Sequence, residues 1–312
     1  MMTRKPVRYA AALTAAIAWL LTTGLATAQL PPAFTSEWGL AVATPNVNTN
    51  ATEGCPIETD DGLSLMIAST RENGFGGLDI WSADRPSTTA DWGTPVNLGS
   101  EINSDAAEFC PSPAFGRFLL FVRNPAGIDQ CGGDGGDIYI SRQSPTMDWS
   151  TPVLLGCSPL GPNTAGGERS PSVVETPEGT FLFYSTDVGG DSDIYVSQML
   201  QDGQFGPGEP ISSLNTEFND FMPNVRARPE GGFEIVFNSD RPGWGPGNRY
   251  PVFGGQDIYW SWIPGVHQGN WKAPQNLGPN VNTAGGETRA TLSADGKRLN
   301  FGRDGDIFTS ER

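Results

Sequence analysis

The chain repeats one pattern five times. Asn followed by Ser or Thr, with an acid five residues after the Asn, occurs as Asn48-Thr49…Glu53, Asn103-Ser104…Glu108, Asn163-Thr164…Glu168, Asn215-Thr216…Asp220 and Asn282-Thr283…Glu287. Each copy leads through an apolar run to an Asp-Ile-aromatic triplet: Asp79-Ile80-Trp81, Asp137-Ile138-Tyr139, Asp193-Ile194-Tyr195, Asp257-Ile258-Tyr259 and Asp306-Ile307-Phe308. Copies 52 to 67 residues apart, built from short alternating runs without helical period, are units that bury their faces against one another. The expected fold is all-β, a five-bladed β-propeller of four-stranded blades.

The third repeat shows the unit most clearly. Arg169–Glu175 reads as the inner strand, Thr176-Pro177-Glu178-Gly179 as a tight turn and Thr180–Ser185 as an apolar second strand. A Gly-rich loop then leads to a third strand, Asp193–Gln198, and to an outer strand over Phe205–Ile211. An aromatic followed by Pro marks the outer strand in Trp92…Pro95, Trp149…Pro152, Phe205…Pro207 and Trp271…Pro274, because an edge strand can spare an N–H donor. The fifth repeat stops at Arg312 without an outer strand, whereas Trp38–Pro45 reads as an outer strand with no inner strands of its own. The N-terminal strand is therefore expected to close the ring on Asp306–Ser310.

Residues 1–28 read as a signal peptide, with Arg4, Lys5 and Arg8 before an apolar stretch and Ala26-Thr27-Ala28 as the cleavage site. Residues 29–37 are a lead segment, and 38–312 a single propeller domain. The 35 acids against 19 basic residues give a net charge of −16, and three of the bases lie in the signal. Such a surface repels phosphate backbones and anionic lipid, so nucleic acid is excluded as a partner. The expected location is periplasmic or secreted, as a monomer with no membrane span after cleavage.

Four cysteines in an exported chain predict two disulfides. Cys55 and Cys110 share a register two residues after their acids in adjacent inner strands, which pairs them. Cys131 lies in the second blade's Gly-rich loop and Cys157 in the connection leaving that blade, which pairs these two. The single histidine, His267, sits in a turn and speaks against Ser-His or Cys-His catalysis.

The segments Asp295-Gly296-Lys297-Arg298-Leu299-Asn300-Phe301, Phe237-Asn238-Ser239-Asp240-Arg241 and Gly254-Gly255-Gln256-Asp257-Ile258-Tyr259 resemble the WD40-like PD40 repeats of TolB-type propellers. So do Gly76–Trp81 and Gly190–Tyr195. The resemblance covers residues 38–312 and implies the propeller fold, whereas repeats of this kind serve very different roles. The chain departs from TolB in having five repeats for six blades and no separate N-terminal α/β domain.

The acids Glu53, Glu108, Glu168, Asp220 and Glu287 each begin an inner strand and converge on one mouth of the ring. Five carboxylates repel one another unless cations intervene. Arg71, Arg123, Arg241 and Arg303 are placed to do so, while the third blade has Asp187 where a neighbour has Arg. The result is a structural Glu–Arg belt or a polar pocket for a sugar, metal ion or cationic group. The fourth-blade loop Arg241–Gln256 adds Trp244, Tyr250 and Phe253 as stacking residues. The opposite end receives mainly tight turns, so the mouth is the expected ligand site. No cofactor is called for, although Gly133–Asp137 and Gly189–Asp193 offer hard oxygen ligands of the kind calcium takes. The Asp of each Asp-Ile-aromatic triplet and the repeated Asn are read as turn-fixing groups.

Two functions compete. One is a binding or interaction scaffold for a protein, peptidoglycan or glycan, and the sequence favours it. The other is a carbohydrate-active enzyme or a lectin working at the acidic mouth. A glycosidase needs two carboxyl groups with divided roles, one protonated and one ionised. Five acids that look equivalent from blade to blade argue against such a division.

Overall fold

The structure, a computed structural model, describes residues 37–229, 231–242, 252–265 and 270–312. The proposed signal segment, Trp244, Tyr250 and His267 lie outside the described residues.

Blade 1 is built of Glu53–Glu58, Ser64–Ser69, Asp79–Asp84 and Val96–Asn97, and blade 2 of Ala107–Ala114, Phe118–Asn124, Asp137–Arg142 and Val153–Leu154. Blade 3 has Arg169–Thr176, Gly179–Thr186, Asp193–Gln198 and Glu209–Pro210. Blade 4 has Asp220–Ala227, Phe233–Ser239, Asp257–Ile263 and Gln275–Asn276. Blade 5 takes Glu287–Leu292, Arg298–Arg303 and Asp306–Glu311 from the end of the chain and Val42–Ala43 from its start. All pairings within the blades are antiparallel, and Val42 opposes Thr309 as Ala43 opposes Phe308. Each first strand touches the first strand of the next blade, the fifth touches the first, and the ring is closed.

The second strands explain why this sequence builds a ring. Their side chains alternate between the two neighbouring interfaces, as a two-residue period demands. Leu119 and Phe121 pack toward blade 1, while Leu120 and Val122 pack toward blade 3. Leu182 and Tyr184 face blade 2, while Phe181 and Phe183 face blade 4. The buried apolar side chains accordingly fall into five clusters, one between each pair of adjacent blades. A full apolar side chain withdrawn from water contributes about 1.5–3 kcal/mol, so each blade is held chiefly by its neighbours.

The outer strands differ from expectation. The marker aromatics precede the strand instead of forming it, and the ladder proper is two residues long. Trp92, Phe205 and Trp271 are buried in the inter-blade clusters. The missing pairing is supplied by the repeated Asn. Asn48, Asn103, Asn163, Asn215 and Asn282 each accept from the N–H, and donate to the carbonyl, of the Ile in the adjacent third strand, at 2.7–3.1 Å. One side-chain amide thereby extends the ladder by one rung.

Every inner strand also carries a bulge two residues after its acid. Register shifts occur at the same place in all five first-to-second strand pairings. The residue there has positive φ although it is not glycine: Cys55 (51°), Cys110 (48°), Ser170 (57°), Met222 (54°) and Arg289 (42°). A left-handed non-glycine residue is costly and persists only where the surroundings hold it. In four blades the next residue is Pro56, Pro111, Pro171 or Pro223, which has no N–H to leave unpaired where the ladder breaks.

Candidate functional site

The acids stand within a residue of the inner-strand starts, as expected. Each accepts the hydroxyl of the Ser or Thr four residues before it, at 2.5–2.8 Å. Glu53, Glu108, Asp220 and Glu287 are buried, and each also pairs with an arginine: Arg71, Arg123, Arg241 and Arg303. Two placements achieve this. In blades 2 and 5 the arginine lies directly opposite the acid across the ladder. In blades 1 and 4 a serine, Ser69 or Ser239, is opposite, and the arginine follows two residues later.

All four arginines make the same further contacts. Each donates to the carbonyl just before the repeated Asn, on Val47, Ile102, Leu214 or Val281. Each guanidinium also lies over the triplet aromatic, Trp81, Tyr139, Tyr259 or Phe308, at 4.5–5.3 Å from the ring centre. The aromatic in Asp-Ile-aromatic is therefore the platform of an arginine, a role the sequence reading did not assign.

Blade 3 breaks the pattern. The two positions that hold arginine elsewhere are Thr186 and Val188, so the aligned residue is not Asp187. Asp187 instead accepts the Gly167 N–H and pairs with Arg169. The carbonyl duty passes to the Tyr184 hydroxyl, which donates to Pro162 at 2.9 Å, and Tyr184 rests on Tyr195. Among the described residues no cation takes over the carboxyl duty. Glu168 is fully buried, and its Oε2 meets no donor among the described residues. Burial pushes its pKa up to about 8, against the lowering effect of hydrogen bonds from Thr164 and Thr186, so at neutral pH it holds a proton. The five acids are thus not equivalent.

The triplet aspartates divide along related lines. Asp79 and Asp257 each accept two loop N–H groups and the side chain of Asn97 or Asn276 on the outer strand. Leu154 and Pro210 occupy that outer-strand position in blades 2 and 3. Oδ1 of Asp137 and of Asp193 is left without a donor, and both pKa values rise to about 6, through burial first and then through Asp129 and Asp191 respectively.

Both predicted disulfides are present, Cys55–Cys110 and Cys131–Cys157, with Cα separations of 4.7 and 5.4 Å. Phe253, from the fourth-blade loop, donates its N–H to Asp257. One concavity lies at the opposite end of the ring from the acids. A cleft of about 470 Å³ sits at the far end of the inner strands, lined by Glu58, Asp60, Asp61, Asp295, Arg298 and Glu311 among others. Among the described residues no helix is long and apolar enough to cross a membrane.

No family model matches the sequence, and no curated protein matches it. Solved structures do match in fold. A thermostable family-43 glycoside hydrolase aligns with a TM-score of 0.54 at 15% identity, over 86% of this chain and 91% of its own. An alpha-L-arabinofuranosidase from Lactobacillus brevis aligns at 0.56 and 13%, over 86% and 92%. An endo-arabinase from Bacteroides thetaiotaomicron aligns at 0.54 and 13%, over 86% and 96%. The expectation of a TolB-like binding scaffold is corrected by these neighbours, which are glycoside hydrolases sharing almost the whole ring. What the comparisons establish for this chain is the five-bladed β-propeller fold.

Proposed function

We propose that the chain is a carbohydrate-active protein of glycoside hydrolase type, acting on a neutral glycan at the mouth that carries the ring acids. The observation that carries this reading is the loss of symmetry in blade 3. Glycoside hydrolysis divides protonated and ionised roles between two carboxyl groups. Among the described residues Glu168 is the one ring acid without an arginine, and it holds its proton at neutral pH. Asp187, whose side chain is 37% exposed, lies one residue beyond Thr186 and faces solvent. In this reading Glu168 supplies the proton and Asp187 is the solvent-facing partner. The neighbours named as an alpha-L-arabinofuranosidase and an endo-arabinase support a glycan substrate, and the net charge of −16 favours an uncharged one. Two disulfides fit an oxidising compartment outside the cytoplasm.

Glycan binding without cleavage is the second reading, favoured by the complete burial of Glu168 and its four counterparts. One experiment separates the two. The purified protein is incubated with arabinan, xylan and xyloglucan oligosaccharides, and both released reducing ends and calorimetric binding are measured. Release that disappears in Glu168→Gln and Asp187→Asn while binding persists supports the hydrolase. Binding without release supports the lectin, and neither signal on any glycan overturns both readings.

A further inference from the structure

Side chains from four of the five bulges meet at the centre of the ring. Cys55 and Cys110 are bonded across blades 1 and 2. Ser170 donates its hydroxyl to Cys110 Sγ at 3.4 Å, which ties in blade 3. Arg289 of blade 5 donates from Nη2 to the carbonyl of Pro171 in blade 3 at 3.3 Å. Blades 3 and 5 are not neighbours, since blade 4 stands between them. The Arg289 side chain therefore spans the centre of the ring.

This guanidinium is unlike the other inner arginines. It is fully buried, and its Nε and Nη1 meet no acceptor among the described residues. Its pKa is pushed down to about 9 by burial alone, with no carboxylate contributing. The other bulge residues are two half-cystines, a serine and a methionine, so the bulges themselves bring no anion to the axis. Arginine nevertheless keeps its charge at neutral pH. An enclosed cation with two undirected donors is costly unless a counter-ion meets it. Arg289 itself is shut off from solvent, which selects a small ion. Beside it stand the Cys55–Cys110 disulfide and the Ser170 hydroxyl, whose bond to sulfur is weak enough for the donor to turn inward.

We propose that the central channel is a binding site for a small inorganic anion of halide size, held against Nε and Nη1 of Arg289. The site is independent of any glycan at the mouth, so its failure would leave the carbohydrate reading untouched.

The test uses the whole protein and two probes. In crystals grown with bromide, an anomalous peak is expected on the ring axis within hydrogen-bond distance of Nε or Nη1. In solution at fixed ionic strength, replacing gluconate by chloride should raise the melting temperature by several degrees, because an ion bound only by the folded state stabilises it. Arg289→Met should lose that chloride-specific rise. An unchanged rise in Arg289→Met, or bromide peaks confined to the surface, overturns the proposal. If Arg289→Met does not fold, the bromide experiment on the unaltered chain decides alone.

Discussion

Blade 3 and its four companions solve the same problem in different ways. Each must bury a carboxyl group at the start of an inner strand and satisfy a carbonyl beside the repeated Asn. The companions use one arginine for both tasks and rest it on an aromatic ring. Blade 3 gives the carbonyl to Tyr184 and leaves Glu168 to keep its proton. A buried carboxyl can be made tolerable by a partner cation or by staying neutral, and the second route makes the blade sensitive to pH. The repeat therefore conserves a hydrogen-bonding plan rather than a set of residues.

The largest expected effect comes from breaking a companion. Arg241→Met strips Asp220 of its cation in a site closed to water, and stability should fall by about 3–5 kcal/mol in urea unfolding. A loss below about 1 kcal/mol would show that the arginine belt is dispensable.

The next effect is the part of the pH slope that Glu168 of blade 3 contributes. The folded pKa of Glu168, about 8, lies above its ordinary 4.5. Between these values the folded state holds a proton that the unfolded state has released. Its contribution is therefore fully present below about pH 4.5 and is lost as pH rises toward 8, by on the order of a few kcal/mol. Glu168→Gln should flatten this part of the stability profile and be the more stable protein at pH 8. Thr186→Arg places a guanidinium where blades 2 and 5 carry theirs and should also flatten it. Parallel profiles in wild type and both variants would make blade 3 equivalent to the rest.

The smallest effect concerns the triplet aspartates. Leu154→Asn restores in blade 2 the outer-strand amide that blades 1 and 4 present. Asn276 is among the groups that lower the pKa of Asp257, so the value for Asp137 should fall from about 6 toward the ordinary range. Carboxyl carbon NMR would follow it, and an unmoved titration would mean that the loop, not the amide, sets the difference.

The ring was legible in the sequence because its determinants are local and repeated. The Asn-to-acid spacing, the Asp-Ile-aromatic triplet and the incomplete fifth repeat specify blades and closure without distant information. The acid–arginine pairs were legible too, since opposite charges sat at matching strand ends. Blade 3 was not, because Asp187 aligns with arginine only if its register is misread by one. The plugged axis left a signal that went unused. The offset that paired Cys55 with Cys110 also places Ser170 and Arg289 at the centre. What concealed it is the bulge, since a simple strand gives no reason for those side chains to meet across the ring.

The pairing of Val42–Ala43 with the last strand sets an order on folding. Thr44 and Thr309, hydrogen-bonded across that seam, are 265 residues apart in sequence. Hairpins within blades 1 to 4 need only local loop closure, and each blade can dock on the one before it as the chain lengthens. Contacts at the largest separation bear the greatest closure entropy and form last. The fifth blade must wait with an unpaired edge until the first segment finds it. Until then the chain exposes a strand template to any other copy, and that interval is when it is most open to aggregation.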